Sequence, residues 1–265
     1  MQTVASISNM ILENSEYITI NKFFTLRNSK NHHKLLIDYD SPVDGEDFVE
    51  SYQRYFRRSM ELSLPRVVIS PCCLIDEGNN KLFWERSVFV SYYGKNNYSN
   101  EKIYKISSDD ISNLKAWHNR LIQYHKKYAE LNESPYFYWD IAYNEYINGL
   151  NCSYLEEAFV HLVTALEALT IKGDGKIKYR TSLYTSILYT DNKETQHEIF
   201  DFIKKMYNLR SKVVHGDDIA LKEEFKSNDL YDDMIKLREI VSKLLSITYF
   251  KDKDKVLKEI QILTS

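Results

Sequence analysis

Apolar positions along this chain change their period near residue 100. Before that point they fall in short runs rich in β-branched and aromatic residues. Tyr17–Leu26 (YITINKFFTL), Lys34–Tyr39 (KLLIDY), Arg66–Ile75 (RVVISPCCLI) and Lys81–Tyr93 (KLFWERSVFVSYY) are separated by polar stretches containing Asn, Ser and Gly, which predicts strands and their connections. Between them Glu46–Leu62 has helical spacing, with Phe48, Tyr52, Tyr55, Phe56 and Met60 near one face and Pro65 closing the element. Residues 94–101 (GKNNYSNE) are polar and mark the expected domain boundary.

Beyond it the spacing is helical. Ser107 with Asp110 forms a capping-box signature opening a helix through Leu114, Trp117, Leu121, Tyr124 and Tyr128. Ser153 with Glu156 opens another, whose stripe Leu155, Phe159, Leu162, Leu166 and Leu169 ends at Gly173. After the loop KGDGKIK, a short helix is expected over Tyr179–Tyr189. A longer one spans Glu194–Val214 with Ile199, Phe202, Met206, Leu209 and Val213 on one face. The last carries Leu230, Met234, Leu237, Val241, Leu244 and Thr248. The predicted fold class is α+β: a mixed region over 1–100, an all-α bundle over 106–250, and a tail or helix extension over 251–265.

Composition adds bounds. At 265 residues, with 43% hydrophobic and 28% charged, the chain can bury a real core in one large domain or two modest ones. A net charge of −3 argues against non-specific coating of nucleic acid, though a local basic groove is compatible with it. Cys72 and Cys73 are adjacent and Cys152 is distant, so neither a disulfide framework nor a zinc site is indicated, and no metal or cofactor is expected. Apolar runs are too short to span a bilayer and the start lacks a signal-peptide pattern, so a cytoplasmic chain is expected.

Candidate chemistry lies in YNLRSKVVHG, Tyr207–Gly216, which places Arg210 and His215 five residues apart at the end of an amphipathic helix. A guanidinium can grip a phosphate and stabilise charge developing on it, and an imidazole can move a proton near neutral pH. In mid-helix this spacing leaves the side chains roughly 140° apart. A left-handed Gly216 is expected to end the helix and let His215 swing toward Arg210. Spacing alone is weak: ten arginines and seven histidines give about 0.3 chance matches to Arg-x-x-x-x-His, and the chain holds three. Arg27/His32 reads as polar loop and Arg120/His125 as exposed charge within a helix.

Context separates the third match. A helix ending in HLVTALEALT, a basic turn, a helix containing KYRTSLYTSIL, and then YNLRSKVVHGD resemble the Apea-like branch of the HEPN family. The resemblance rests on Ala165–Leu169, Arg180, Tyr207, Arg210, Ser211, His215 and Gly216, and covers about the last 150 residues. It implies a helical bundle that pairs as a homodimer with two Arg-x4-6-His motifs lining one cleft. It further implies a metal-independent endoribonuclease of phage-defence or toxin-like systems, in which the ribose 2′-OH attacks the adjacent phosphate. Arg210 would then hold phosphate and His215 carry the proton. Ser211 departs from the more strongly polar residue often found after the motif arginine.

Plainer readings stand beside these. Arg210 is also a candidate ion-pair partner for Glu167, Arg180 a structural cation, and Tyr207 either a base-stacking or a packing residue. Lysines 172, 176, 178, 204, 205 and 212 form either a basic rim for RNA, with Lys176, Lys178, Lys205 and Lys212 the named contacts, or ordinary solvated surface. His161 reads as a satisfied core or interface histidine. The rival functions are a non-catalytic HEPN module binding RNA, nucleotide or protein, and a structural partner of another protein from the same operon.

Overall fold

The computed structural model describes residues 2–8, 10–20, 24–29, 34–39, 58–60, 62–64, 67–69, 74–76, 81–83, 90–92, 104–128, 137–152, 155–173, 175–216, 229–249 and 251–264. The architecture is α+β with a helical C-terminal region. The chain divides into two compact units, Met1–Lys127 and Tyr128–Ser265. The polar stretch 94–101 lies outside the described residues, as does most of the helix expected over Glu46–Leu62; residues 58–60 and 62–63 of it are helical.

In the first unit a four-stranded antiparallel sheet has the order β1-β5-β4-β3, from β1 (Gln2–Ser8), β3 (Tyr17–Thr19), β4 (Phe24–Asn28) and β5 (Lys34–Tyr39). The single run expected over Tyr17–Leu26 is thus a hairpin, with Ile20 N–H donating to Phe24 O across the turn. Arg27, expected in a loop, sits on β4 opposite Leu36 of β5. β2 (Met10–Leu12) pairs in parallel with β10 (Tyr104–Ile106), and the Asn28 side chain bonds both the amide and the carbonyl of Leu12. The runs Arg66–Ile75 and Lys81–Tyr93 each contain two short strands: β6 (Val67–Ile69) and β7 (Leu74–Asp76), then β8 (Lys81–Phe83) and β9 (Val90–Tyr92). They pair β6 with β9 and β7 with β8.

α1 (Ser108–Tyr128) groups with this unit. Its capping box is formed as expected: the Asp110 carboxylate accepts from the Ser107 amide at 2.9 Å, and Ser107 Oγ accepts from the Asp110 amide at 3.2 Å. His118 is fully buried on α1, edge-on to Phe24 at 5.3 Å and 3.3 Å from Ser59 Oγ.

The second unit is a bundle of six described helices. They are α2 (Phe137–Asn151), α3 (Leu155–Thr170), α4 (Ile177–Tyr189), α5 (Lys193–His215), α6 (Asp229–Thr248) and α7 (Lys253–Thr264). Helix α2 has no counterpart among the helices expected from the sequence. Its buried positions Trp139, Ala142, Tyr143, Tyr146 and Leu150 do follow helical spacing. Tyr, Trp, Asn and Gly, all mediocre helix formers, disguise it. Tertiary contacts hold it instead: Trp139 Nε1 donates to Leu245 O at 2.8 Å, and Tyr138 Oη donates to Lys251 O at 2.7 Å.

Helix α3 is the centre of the bundle, with Ala158, Phe159, Leu162, Val163, Ala165, Leu166, Leu169 and Thr170 buried. The segment expected as a tail or helix extension forms a separate helix, α7, whose Val256, Leu257 and Ile260 cluster with Tyr184 of α4. Lys253 Nζ donates to Ala168 O near the negative end of α3 at 2.7 Å, and burial lowers its pKa. Lys172 bonds both oxygens of Asp254 at 2.6 Å and so holds that carboxyl below its usual range. Helix α4 buries Thr181, Ser182, Thr185 and Ser186, so its inner face is short and polar, which explains its faint apolar signal.

Gly149 lets α2 lie close to α3. A Cβ there would meet Leu162 Cγ at 3.0 Å and Ala158 O at 3.2 Å. Alanine would gain up to about 1 kcal/mol of helix propensity, but crowding a fully buried leucine costs about 1–3 kcal/mol. Gly149→Ala is therefore expected to lower stability by about 1 kcal/mol in urea unfolding; a gain would show that the two helices have slack.

Candidate functional site

Helix α5 starts where the Asn192 side chain accepts from the Thr195 amide at 2.9 Å and ends at Gly216, with φ 68° and ψ 38°. The left-handed cap expected at Gly216 is present, and its amide donates to the carbonyls of Lys212 and Val213. The helix continues through His215, however, so the chain turns only after the histidine. His215 keeps its helical direction, roughly 140° from Arg210. The expected swing toward Arg210 does not occur within one chain.

What α5 does bring together is Tyr207, Arg210 and, from α3, Glu167. Arg210 Nη2 lies 4.0 Å from Glu167 Oε2, with the two side chains 26% and 21% exposed. The Arg210 guanidinium carbon sits 5.8 Å from the centre of the Tyr207 ring, and Tyr207 hydrogen-bonds the Glu167 carboxylate. Burial raises the pKa of Tyr207 above its usual value; the hydrogen bond to Glu167 and that residue's negative charge add to the rise, and Arg210 opposes it. The phenol therefore stays protonated as a donor. Arg210 Nε is buried with no hydrogen-bond partner among the described residues. The other edge of the guanidinium is thus only loosely engaged, by a pair at the outer limit of ion-pair distance.

Arg180 is structural. Its Nη2 donates to Lys172 O at 2.9 Å, and the guanidinium lies 5.8 Å from the Tyr184 ring, tying α4 to the end of α3. Ser211 and Lys212 are half-buried on α5. Lys205 is engaged by Asp233 of α6 at 2.6 Å and Lys172 by Asp254, so these two members of the expected rim have their charge matched. Lys176 and Lys178 lie elsewhere, in a groove between α4 and α5 lined also by Ile177, Tyr179, Phe200 and Lys204. Neither Phe200 nor the groove itself was legible as a site in the sequence. Phe200 and Lys204 stand one helical turn apart on α5, a spacing the sequence carries but shares with any helical surface pair.

Of the other matches, Arg120 is exposed on α1, 5.7 Å from the Trp117 ring, while His32 and the side chain of His125 lie outside the described residues. His161 is a half-buried partner of Glu145, with Nδ1 at 2.7 Å. Cys152, between α2 and α3, has its thiol pKa raised, first by burial and then by Glu157. Among the described residues no group of His, Cys, Asp and Glu is placed to hold a metal ion, and no helix is long and apolar enough to cross a membrane. No known family, curated protein or solved structure matches this chain.

Tyr207→Phe tests the cluster without emptying it. Losing a hydrogen bond to a charged, partly exposed acceptor is expected to lower stability by about 1 kcal/mol at neutral pH, measured by urea unfolding. Because folding raises this pKa above 10.0, the stability contribution is complete below pH 10 and is lost as pH rises through the folded value. The gap between wild type and variant should therefore close only in strong alkali. Equal stability at pH 7 would mean that the bond carries no weight.

Proposed function

We propose that the chain is a metal-independent endoribonuclease of HEPN type, working as a homodimer in which Arg210 of one copy and His215 of the other act on the same phosphodiester. The observation that supports this is the arrangement on α5. Arg210 is half-buried and oriented by Glu167 and Tyr207, His215 is exposed at the helix end, and the two diverge by about 140° in a single chain. A second copy laid against α5 would complete the pair. Arg210 grips a non-bridging phosphate oxygen, aided by the directed fork of its guanidinium. His215, open to solvent and to substrate, takes the proton of the attacking 2′-OH or supplies one to the departing 5′ oxygen. The bond from the 2′ oxygen to phosphorus forms as that to the 5′ oxygen breaks, leaving a 2′,3′-cyclic phosphate. A phage-defence or toxin-like role belongs to this reading.

A second reading draws on the Glu167 contact. A guanidinium already facing a carboxylate is partly neutralised, and Ser211 beside it offers only a hydroxyl. Both suit a non-catalytic module that binds RNA, a nucleotide or a protein through the same surface.

Incubation of the full chain with single-stranded RNA and total tRNA in EDTA separates the two. Cleavage to cyclic-phosphate ends is expected, with a loss of at least about a hundredfold in Arg210→Ala and in His215→Ala and none in His125→Ala. Retained activity in His215→Ala would remove the assignment. RNA bound without turnover would select the binding module.

A further inference from the structure

The groove between α4 and α5 has the chemistry of a stacking site for one base of a single strand. Its volume is about 320 Å3. Its walls are apolar: Ile177, 37% exposed, and Tyr179, 54% exposed, face Phe200, whose ring meets that of Tyr179 edge-on at 5.7 Å. Three lysines, 176, 178 and 204, stand around it. Lys178 donates to Asn208 Oδ1, and Lys204 Nζ lies 5.9 Å from the Phe200 ring centre. Among the described residues no carboxylate pairs with any of the three.

The backbone sharpens this picture. Lys176 is the one described non-glycine residue with positive φ, at 49°, and it precedes α4 with no side-chain cap and no acid in the first turn. Lysine at the positive end of a helix adds like charge to like, and its left-handed backbone is strained. Local stability is sacrificed where a cation is held.

The occupant follows from charge and openness together. A small anion would leave the aromatic walls wet, and a small apolar ligand would leave the lysines without a counter-charge. A free nucleotide supplies both chemistries, but with Tyr179 more than half exposed the groove cannot enclose it as small-molecule sites do. A strand that continues beyond the groove satisfies all three conditions, with a base on Tyr179 and Phe200 and phosphates on the lysines.

The direction of that strand is readable on α5. At about 100° per residue, Phe200, Lys204, Asn208 and His215 fall within about 80° of one another, whereas Arg210 lies about 80° to the other side of Phe200. The groove and the exposed histidine share one face, with Lys204 and His215 about 16 Å apart along the axis. We infer that this face is a track for single-stranded RNA, anchored by a base in the Tyr179–Phe200 groove and led along α5 to His215. The groove half of the inference stands on its own; the His215 end rests on the ribonuclease reading.

Binding is measured by fluorescence anisotropy of a labelled oligouridylate, with the full-length chain in EDTA and the His215→Ala substitution present to prevent turnover. Replacing Lys176, Lys178 and Lys204 together by Ala should weaken binding at least about tenfold and reduce the slope of log K against log salt by about two, at roughly 0.7 per phosphate contact. Tyr179→Leu, which keeps apolar bulk but removes the ring, should weaken it about tenfold, the loss of one stacked base. Lys176, Tyr179 and Lys204 are exposed and Lys178 is half-buried, and a thermal melt confirms folding. Unchanged affinity in either variant would overturn the inference. So would equal binding of duplex RNA, whose bases are not free to stack, or competition by a mononucleotide as strong as by the oligomer. Cleavage by the unsubstituted chain is scored separately. Affinity lost in the groove variants with no cleavage by wild type leaves the groove standing and removes the nuclease; cleavage with groove-independent affinity does the reverse.

Discussion

A carboxylate at the partly buried end of a helix gives up hydration, and donors from a neighbouring helix replace it. Helix α3 is buried along most of its length, and Glu167 lies in its last turn, 21% exposed. Tyr207 and Arg210 of α5 provide the donor and the cation. They stand three residues apart, on adjoining turns of one side of α5, beside the buried Ile199, Phe202, Ile203, Met206 and Leu209 that set the rotation of α5 in the bundle. Everything else α5 presents follows from that rotation. The adjoining face of the helix carries Phe200, Lys204 and Asn208 toward α4, and its end delivers His215 to solvent.

The same constraint explains why the arginine is only loosely held. An ion pair at 4.0 Å between partly exposed groups is worth about 1 kcal/mol or less. Arg210 is thus oriented rather than consumed, with its Nε unpartnered among the described residues. Lys205 and Lys172, by contrast, are engaged by Asp233 and Asp254, where they fasten α6 and α7 to the bundle. Among the described residues, Lys176, Lys178 and Lys204 have no carboxylate partner.

Much of the helical unit was legible because its stripes are aliphatic and its caps are written in side chains. Gly216 and, on α1, the Ser107/Asp110 box each satisfy terminal backbone groups that would otherwise be orphaned. Helix α2 was not legible, since aromatic residues serve strands and helices alike and Trp139 owes its place to a carbonyl 106 residues away. The hairpin inside Tyr17–Leu26 was missed because no Gly or Pro marks its turn. At the site, the Glu167–Arg210 pairing followed from two helices of one bundle. The separation of Arg210 from His215 depended on one backbone detail, whether the helix ends before or after the histidine. No pattern of residue types shows that.

Mixing two inactive variants tests most directly whether this divergence is functional. In the proposed homodimer, Arg210→Ala and His215→Ala chains unfolded together and refolded would form mixed dimers. If the arginine of one copy works with the histidine of the other, each mixed dimer regains one intact pair, and RNA cleavage should return to a substantial fraction of wild type. If wild type cleaves but the mixture stays as inactive as its components, Arg210 and His215 act within one chain, and their divergence on α5 has no part in catalysis.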